Sequence, residues 1–263
     1  MSEMRNAVRR VGWLLFVLLL VMPIVALRAA GQARAQGTEN PPEPQIIPAL
    51  ANDIYFGAVP PDQPDGPVLV FVHGFGGTAR LWWAQTPGGA TNDMYALAYE
   101  AGYRTAFVQL GGEDGSQGNS HWENGERLSA QIEVIADHYE VDTVDVIGHS
   151  KGGVDAQTAI VHYDAAPLVR ALVTLAAPHR GTELADLAYT FPINVVAEIL
   201  GWHSDALYNM QTAIMEEFRS ETDPLVAAQD TLYFSAGGMG EGPFPSGLWV
   251  GNLILEPYGP NDG

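Results

Sequence analysis

Ser150 stands between two glycines in Gly148-His149-Ser150-Lys151-Gly152, and the segments on either side indicate what such a serine can do. Before it, Thr143–Ile147 (TVDVI) is a short apolar run of strand character; after it, Lys151–Tyr163 reads as a helix. A strand-to-helix turn this sharp leaves no room for Cβ atoms beside the serine, which accounts for Gly148 and Gly152, with His149 completing the elbow. It also lifts the serine Oγ above the sheet at the positive end of a helix, where developing negative charge is favoured. A hydroxyl in that position suits nucleophilic attack on an acyl carbon, and such chemistry needs two N–H donors for the tetrahedral oxyanion. His73-Gly74-Phe75-Gly76-Gly77 follows the run PVLVFV (67–72) and forms a glycine loop able to turn amides toward the serine. The donors read from the sequence are the N–H groups of Phe75 and Lys151. The plainer reading is a glycine turn joining a strand to a helix over Thr78–Ala84.

Positioning these loops requires strands beneath them. Continuous β-branched runs at 67–72, 104–110, 143–147, 171–175 and 231–235 have the character of strands buried on both faces. Between them, Trp122–Tyr139 places Leu128, Ile132, Ile135 and His138 at helical spacing. Strands alternating with helices of this length predict an α/β fold, a mostly parallel doubly wound sheet with helices on both faces. Residues 183–218 carry two apolar patterns, Val195, Val196, Ile199, Leu200 and then Leu207, Met210, Ile214, Phe218. They read either as a helical cap or lid opening onto a lipid interface, or as helices packed on the sheet. Leu81, Trp82 and Trp83 similarly read as the lining of an acyl pocket or as core.

Residues 1–35 are different in kind. Arg5, Arg9 and Arg10 precede an apolar run over residues 11–27, and Ala33-Arg34-Ala35 offers an A-x-A cleavage site. This is the pattern of a secretory signal peptide, or of an uncleaved N-terminal anchor that engages the membrane. Residues 36–66, with four prolines in TENPPEPQIIP, read as a proline-rich linker and the approach to a domain over 67–263.

Four stretches, VLVFVHGFGG, NGERLSAQIE, VDVIGHSKGG and VTLAAPHRGTELAD, resemble secreted bacterial triacylglycerol lipases of the α/β-hydrolase superfamily. The resemblance implies an α/β-hydrolase fold, esterase or lipase chemistry on a small-molecule or lipid ester, Ser150 as nucleophile, and an acid followed by a histidine. The group places its acid in an N-D-G turn, which Pro260-Asn261-Asp262-Gly263 matches; Asp262 is the acid expected, with Asp186 next. All seven histidines precede Asp262, so the expectation is that the chain stops short of its base, with His203 the one substitute. A polyester depolymerase or acyltransferase on the same scaffold, and a non-catalytic ester- or lipid-binding module, are the competing readings.

Composition narrows the classes further. The 12 basic against 31 acidic residues give a formal charge of −19, which opposes nucleic-acid binding. Without residues 1–35 that charge becomes −23, since five basic residues and one acidic residue lie there. The absence of cysteine excludes thiol catalysis, disulfide scaffolds and cysteine-held metal centres. No metal site and no cofactor are read from the sequence.

Overall fold

The run VLVFV has no side fit to face water, so it requires a sheet covered on both sides. In the computed structural model, which describes residues 41–84, 91–111, 118–199, 203–225, 227–238 and 255–258, it is the middle strand of a seven-stranded sheet. The elements in chain order are β1 (Gln45–Ile46), β2 (Ile54–Phe56), β3 (Val68–Val72), α1 (Met94–Glu100), β4 (Arg104–Val108), α2 (His121–Tyr139), β5 (Val144–His149), α3 (Lys151–His162), β6 (Val169–Leu175), α4 (Glu183–Ala188), α5 (Ile193–Ile199), α6 (Asp205–Tyr208), α7 (Thr212–Thr222), α8 (Ala227–Asp230) and β7 (Leu232–Ala236). Residues 36–84 and 91–238 make one unit. Residues 1–35, 85–90 and 239–263 make another, in which a 3-10 turn at Glu256–Tyr258 is described.

The strand order is β1-β2-β4-β3-β5-β6-β7, parallel from β4 to β7 and antiparallel where β1 and β2 join. Residues 36–66 are therefore more than the linker read from sequence, because β1 and β2 extend the sheet beyond β4. Val68, Val70 and Val72 meet Leu128, Ile132 and Ile135 of α2 and Ala156 and Ile160 of α3 in one core. Leu69 and Phe71 face the other way, onto Trp82, Tyr95 and Ala98. The alternation of the strand thus feeds two cores, one on each face.

Three differences from the sequence reading have local causes. The helix expected over 78–84 is only a 3-10 turn, Ala79–Trp82; Trp82 is buried in the core and Trp83 packs half-buried against it, their rings 4.9 Å from Phe71 and Phe107 respectively. α2 begins at His121 because Ser120 and Glu123 form a reciprocal capping box, which stops fraying at that residue. In the 183–218 insertion, Met210, Met215 and Phe218 bury against Ala185 and Val154 of α3, so Met215 takes the inward place expected of Ile214. α5 is described, with Val195 exposed, whereas the side chains of Val196, Ile199 and Leu200 lie outside the described residues.

Asp186 has a structural task in this insertion. Its two carboxylate oxygens accept from the Thr212 N–H at 2.9 Å and the Thr212 hydroxyl at 2.7 Å, tying α4 to the first residue of α7. Asp186→Ala should lower stability in urea unfolding by about 1–2 kcal/mol and leave Ser150 reactive. Loss of reactivity at unchanged stability would make Asp186 the catalytic acid instead.

Candidate active site

The strand sequence reverses direction at β3, since the chain leaves it for β4 on one side and places β5 on the other. The crevice at such a switch point, beyond the carboxyl ends of the strands, is where α/β sheets bind ligands. Both chemistry-bearing loops emerge there. Val72 pairs with Gly148, so the glycine loop after β3 and the serine after β5 leave the sheet side by side.

Ser150 has φ 52° and ψ −131°, a conformation that costs a residue with a Cβ about 1–3 kcal/mol and persists only where its neighbours enforce it. Its N–H donates to the Leu175 carbonyl at 2.9 Å, which anchors it to β6. Its side chain does not cap α3, so the hydroxyl is not committed to the helix it precedes. A Cβ on Gly74 would stand 2.8 Å from the Ser150 Cβ, which means that the loop backbone lies directly against the serine. A Cβ on Gly152 would stand 2.3 Å from the His73 carbonyl oxygen, so both loops interlock at van der Waals distance. As the first residue of α3, Lys151 has an N–H without an intrahelical acceptor. Phe75 follows Gly74 and is partly exposed. The amides of Phe75 and Lys151 are therefore carried by loops that meet at Ser150.

His73 holds the glycine loop from beneath. The Leu110 N–H donates to its Nε2 at 3.0 Å, and because an amide can only donate, the ring proton resides on Nδ1, which donates to the Gly74 carbonyl at 3.0 Å. Gln109 adds a second brace, its Oε1 accepting from the Ala79 N–H at 2.9 Å. Neither role is visible in the sequence motif. Burial, reinforced by the Lys151 charge against the favourable Gly74 contact, pushes the His73 imidazole down to about 4. Burial likewise takes His121 down to about 3, again helped by Lys151. Because both folded values lie below the ordinary 6.5, the unfolded chain takes up these protons first as pH falls. Their contribution to stability is complete above about pH 6.5 and is lost progressively toward pH 4 and below. Unfolding free energies from urea titrations at pH 7.0 and 4.5 should differ by on the order of 2 kcal/mol per histidine; equal values would refute the assignment.

His203, two further histidines and the expected acid fall as follows. His203 donates from Nε2 to the Ala188 carbonyl at 2.9 Å and stacks on Tyr189 at 4.5 Å, which fixes it to the end of α4. His179 bridges Gln157 at 3.1 Å and Thr174 at 3.2 Å, and His162 contacts Thr222 at 2.8 Å. Asp262 and the apolar run 11–27 lie outside the described residues. Among the described residues, no helix is long and apolar enough to cross a membrane, and no cluster of acidic and histidine side chains is arranged to hold a metal ion.

The profile of the alpha/beta hydrolase fold matches residues 67–224, which takes in both loops and the strands β3 to β6. The chain belongs to the α/β-hydrolase family. Within that family it is similar to a triacylglycerol lipase of Burkholderia plantarii, 29% identical over 190 residues, or 69% of this chain and 43% of the relative. It thus spans less than half the length of that relative. Among solved structures it is similar to a Bacillus licheniformis lipase in mature form, with a TM-score of 0.66, 35% identity, and coverage of 75% of this chain and 76% of that one. The same lipase in propeptide form gives a TM-score of 0.68 at 36% identity, covering 76% of this chain and 42% of that one.

Proposed function

We propose that this α/β hydrolase is a serine carboxylic-ester hydrolase acting on lipid esters, exported by way of residues 1–35. The observation that carries the reading is Ser150 held at positive φ on the turn between β5 and α3, with the backbone of Gly74 packed against its Cβ. Similarity to two lipases supports the lipid-ester class. Ser150 Oγ attacks the ester carbonyl while a histidine takes its proton, and Asp262 orients that imidazole. The amides of Phe75 and Lys151 receive the oxyanion, the imidazolium returns the proton to the leaving alcohol, and water releases the acid by the same steps. Phe191 and Tyr208 of the 183–218 insertion are exposed apolar residues suited to an oily substrate surface, which favours a lid role for that segment.

The test is labelling of the full-length protein with a fluorophosphonate, followed by mass mapping and competition from p-nitrophenyl esters of increasing acyl length. Stoichiometric modification of Ser150, protected best by the longer acyl esters, is expected. Binding of esters without any modification of Ser150 would replace the enzyme with a binding module.

A further inference from the structure

Lys151 is the chain's single lysine, beside eleven arginines, and it is almost completely buried. Its ammonium donates to Asp155 Oδ1 at 2.6 Å, one helical turn along α3, and Asp155 is itself buried. The other oxygen of that carboxylate accepts from Asn124 Nδ2 of α2 at 2.9 Å, and Asn124 Oδ1 accepts from Asn119 at 3.2 Å. This chain of contacts is costly to build. A cation at a helix N-terminus opposes the helix dipole, and a buried ion pair is often no more stabilising than apolar residues of similar volume. On the same side of α3, Val154, Thr158 and Ala159 are buried as well, so uncharged side chains of similar volume at 151 and 155 could fill the same space. What the ion pair offers over them is direction, because an ammonium hydrogen-bonded to one fixed carboxylate permits few rotamers.

We infer that the Lys151 side chain, Asp155 and Asn124 are positioning residues that fix the peptide between Ser150 and Lys151, and hence the Lys151 N–H that receives the oxyanion. The inference rests on the reading of Ser150 as an acyl-transfer nucleophile. On its amino side Ser150 is held by β6 through the Leu175 carbonyl. On its carboxyl side the strained residue is followed by one whose side chain is pinned to α2 through Asp155, and a small rotation of that peptide would swing the N–H away from its target. It also gives the NG of the NGERL stretch a role: Asn124 braces the nucleophile helix.

The double variant Lys151→Met/Asp155→Leu tests this, because it removes both charges together and keeps the volume. Thermal unfolding, kcat and KM for p-nitrophenyl butyrate, and the rate of fluorophosphonate reaction should be compared with the parent protein. The expected result is an unfolding temperature within several degrees of the parent's, because the loss of two buried charges is set against the Asn124 amide left without its acceptor, with KM within about twofold and kcat and phosphonylation both down about tenfold or more. Unchanged kcat in a folded double variant would make the pair merely structural and overturn the inference. Asn124→Ala keeps the ion pair and serves as the second variant if the first does not fold. It should lower kcat about threefold with KM unchanged, and an unaltered kcat there also overturns the inference. A parent protein that never reacts at Ser150 overturns the hydrolase reading itself, and this inference with it.

Discussion

Ser150→Gly is expected to abolish ester hydrolysis and at the same time raise the unfolding temperature. The two effects share one cause. At φ 52° and ψ −131° a side chain is strained, and glycine removes the Cβ responsible, returning about 1–3 kcal/mol less the entropy that glycine adds to the unfolded chain. For a domain of this size that corresponds to a few degrees in melting temperature. The hydroxyl is lost with the Cβ, so kcat should fall by about 10⁴ or more, to the level that binding and the oxyanion donors alone supply. Ser150→Ala separates the two effects: it loses the same activity but keeps a Cβ at positive φ, so its melting temperature should stay near the parent's. Calorimetry and a p-nitrophenyl ester assay on the three proteins suffice. Undiminished turnover in either variant would remove Ser150 from the chemistry, and equal melting temperatures for the glycine and alanine variants would mean that the turn stores no strain.

Gly152→Ala should be among the most damaging single-methyl additions available in this chain. The new Cβ would lie 2.3 Å from the His73 carbonyl oxygen and 2.8 Å from that of Val72, both backbone atoms at the end of β3. Relief requires α3 to move away from β3, yet α3 is packed against α2 and its Val154 anchors the core that holds α7. A loss of about 3 kcal/mol or more is expected, with activity falling alongside because the same contact sets the distance between the two loops. Gly237→Ala is the control. Among the described residues nothing lies within 4 Å of a Cβ there, so it should stay within about 0.5 kcal/mol of the parent in urea unfolding. A Gly152→Ala protein as stable as that control would contradict the close approach of the loops.

The strands and the long helices were legible because their signals are long. VLVFV is apolar at every position, and the spacing of Leu128, Ile132 and Ile135 marks the face of α2 that meets the sheet. β1 and β2 were not legible, since two or three residues are too few for a periodicity and Ile54–Phe56 follows a proline-rich stretch. The elbow could be read from Gly148, Ser150 and Gly152, whose types answer a backbone requirement. The bracing network could not: Lys and Asp four residues apart usually mark a solvated helix face, and only the surrounding apolar residues of α3 hinted at burial. His73 read as part of a loop motif, while its work depends on Leu110, 37 residues away. Asp186 could be read as a candidate acid by type and order; its contact with Thr212 could not, because Thr212 belongs to a helix whose docking no local pattern announces.

A single lysine locked inside the fold has a practical outcome for handling the protein. Reagents that acylate amines, such as succinimidyl dyes, biotin esters and aldehyde surfaces, find no lysine on the folded exterior, because the eleven other cations are guanidinium groups. Within residues 1–263 such reagents therefore meet no side-chain amine on the folded surface, and random crosslinking through lysine fails there. Uptake of label at Lys151 would then report the moment at which α3 comes away from the sheet.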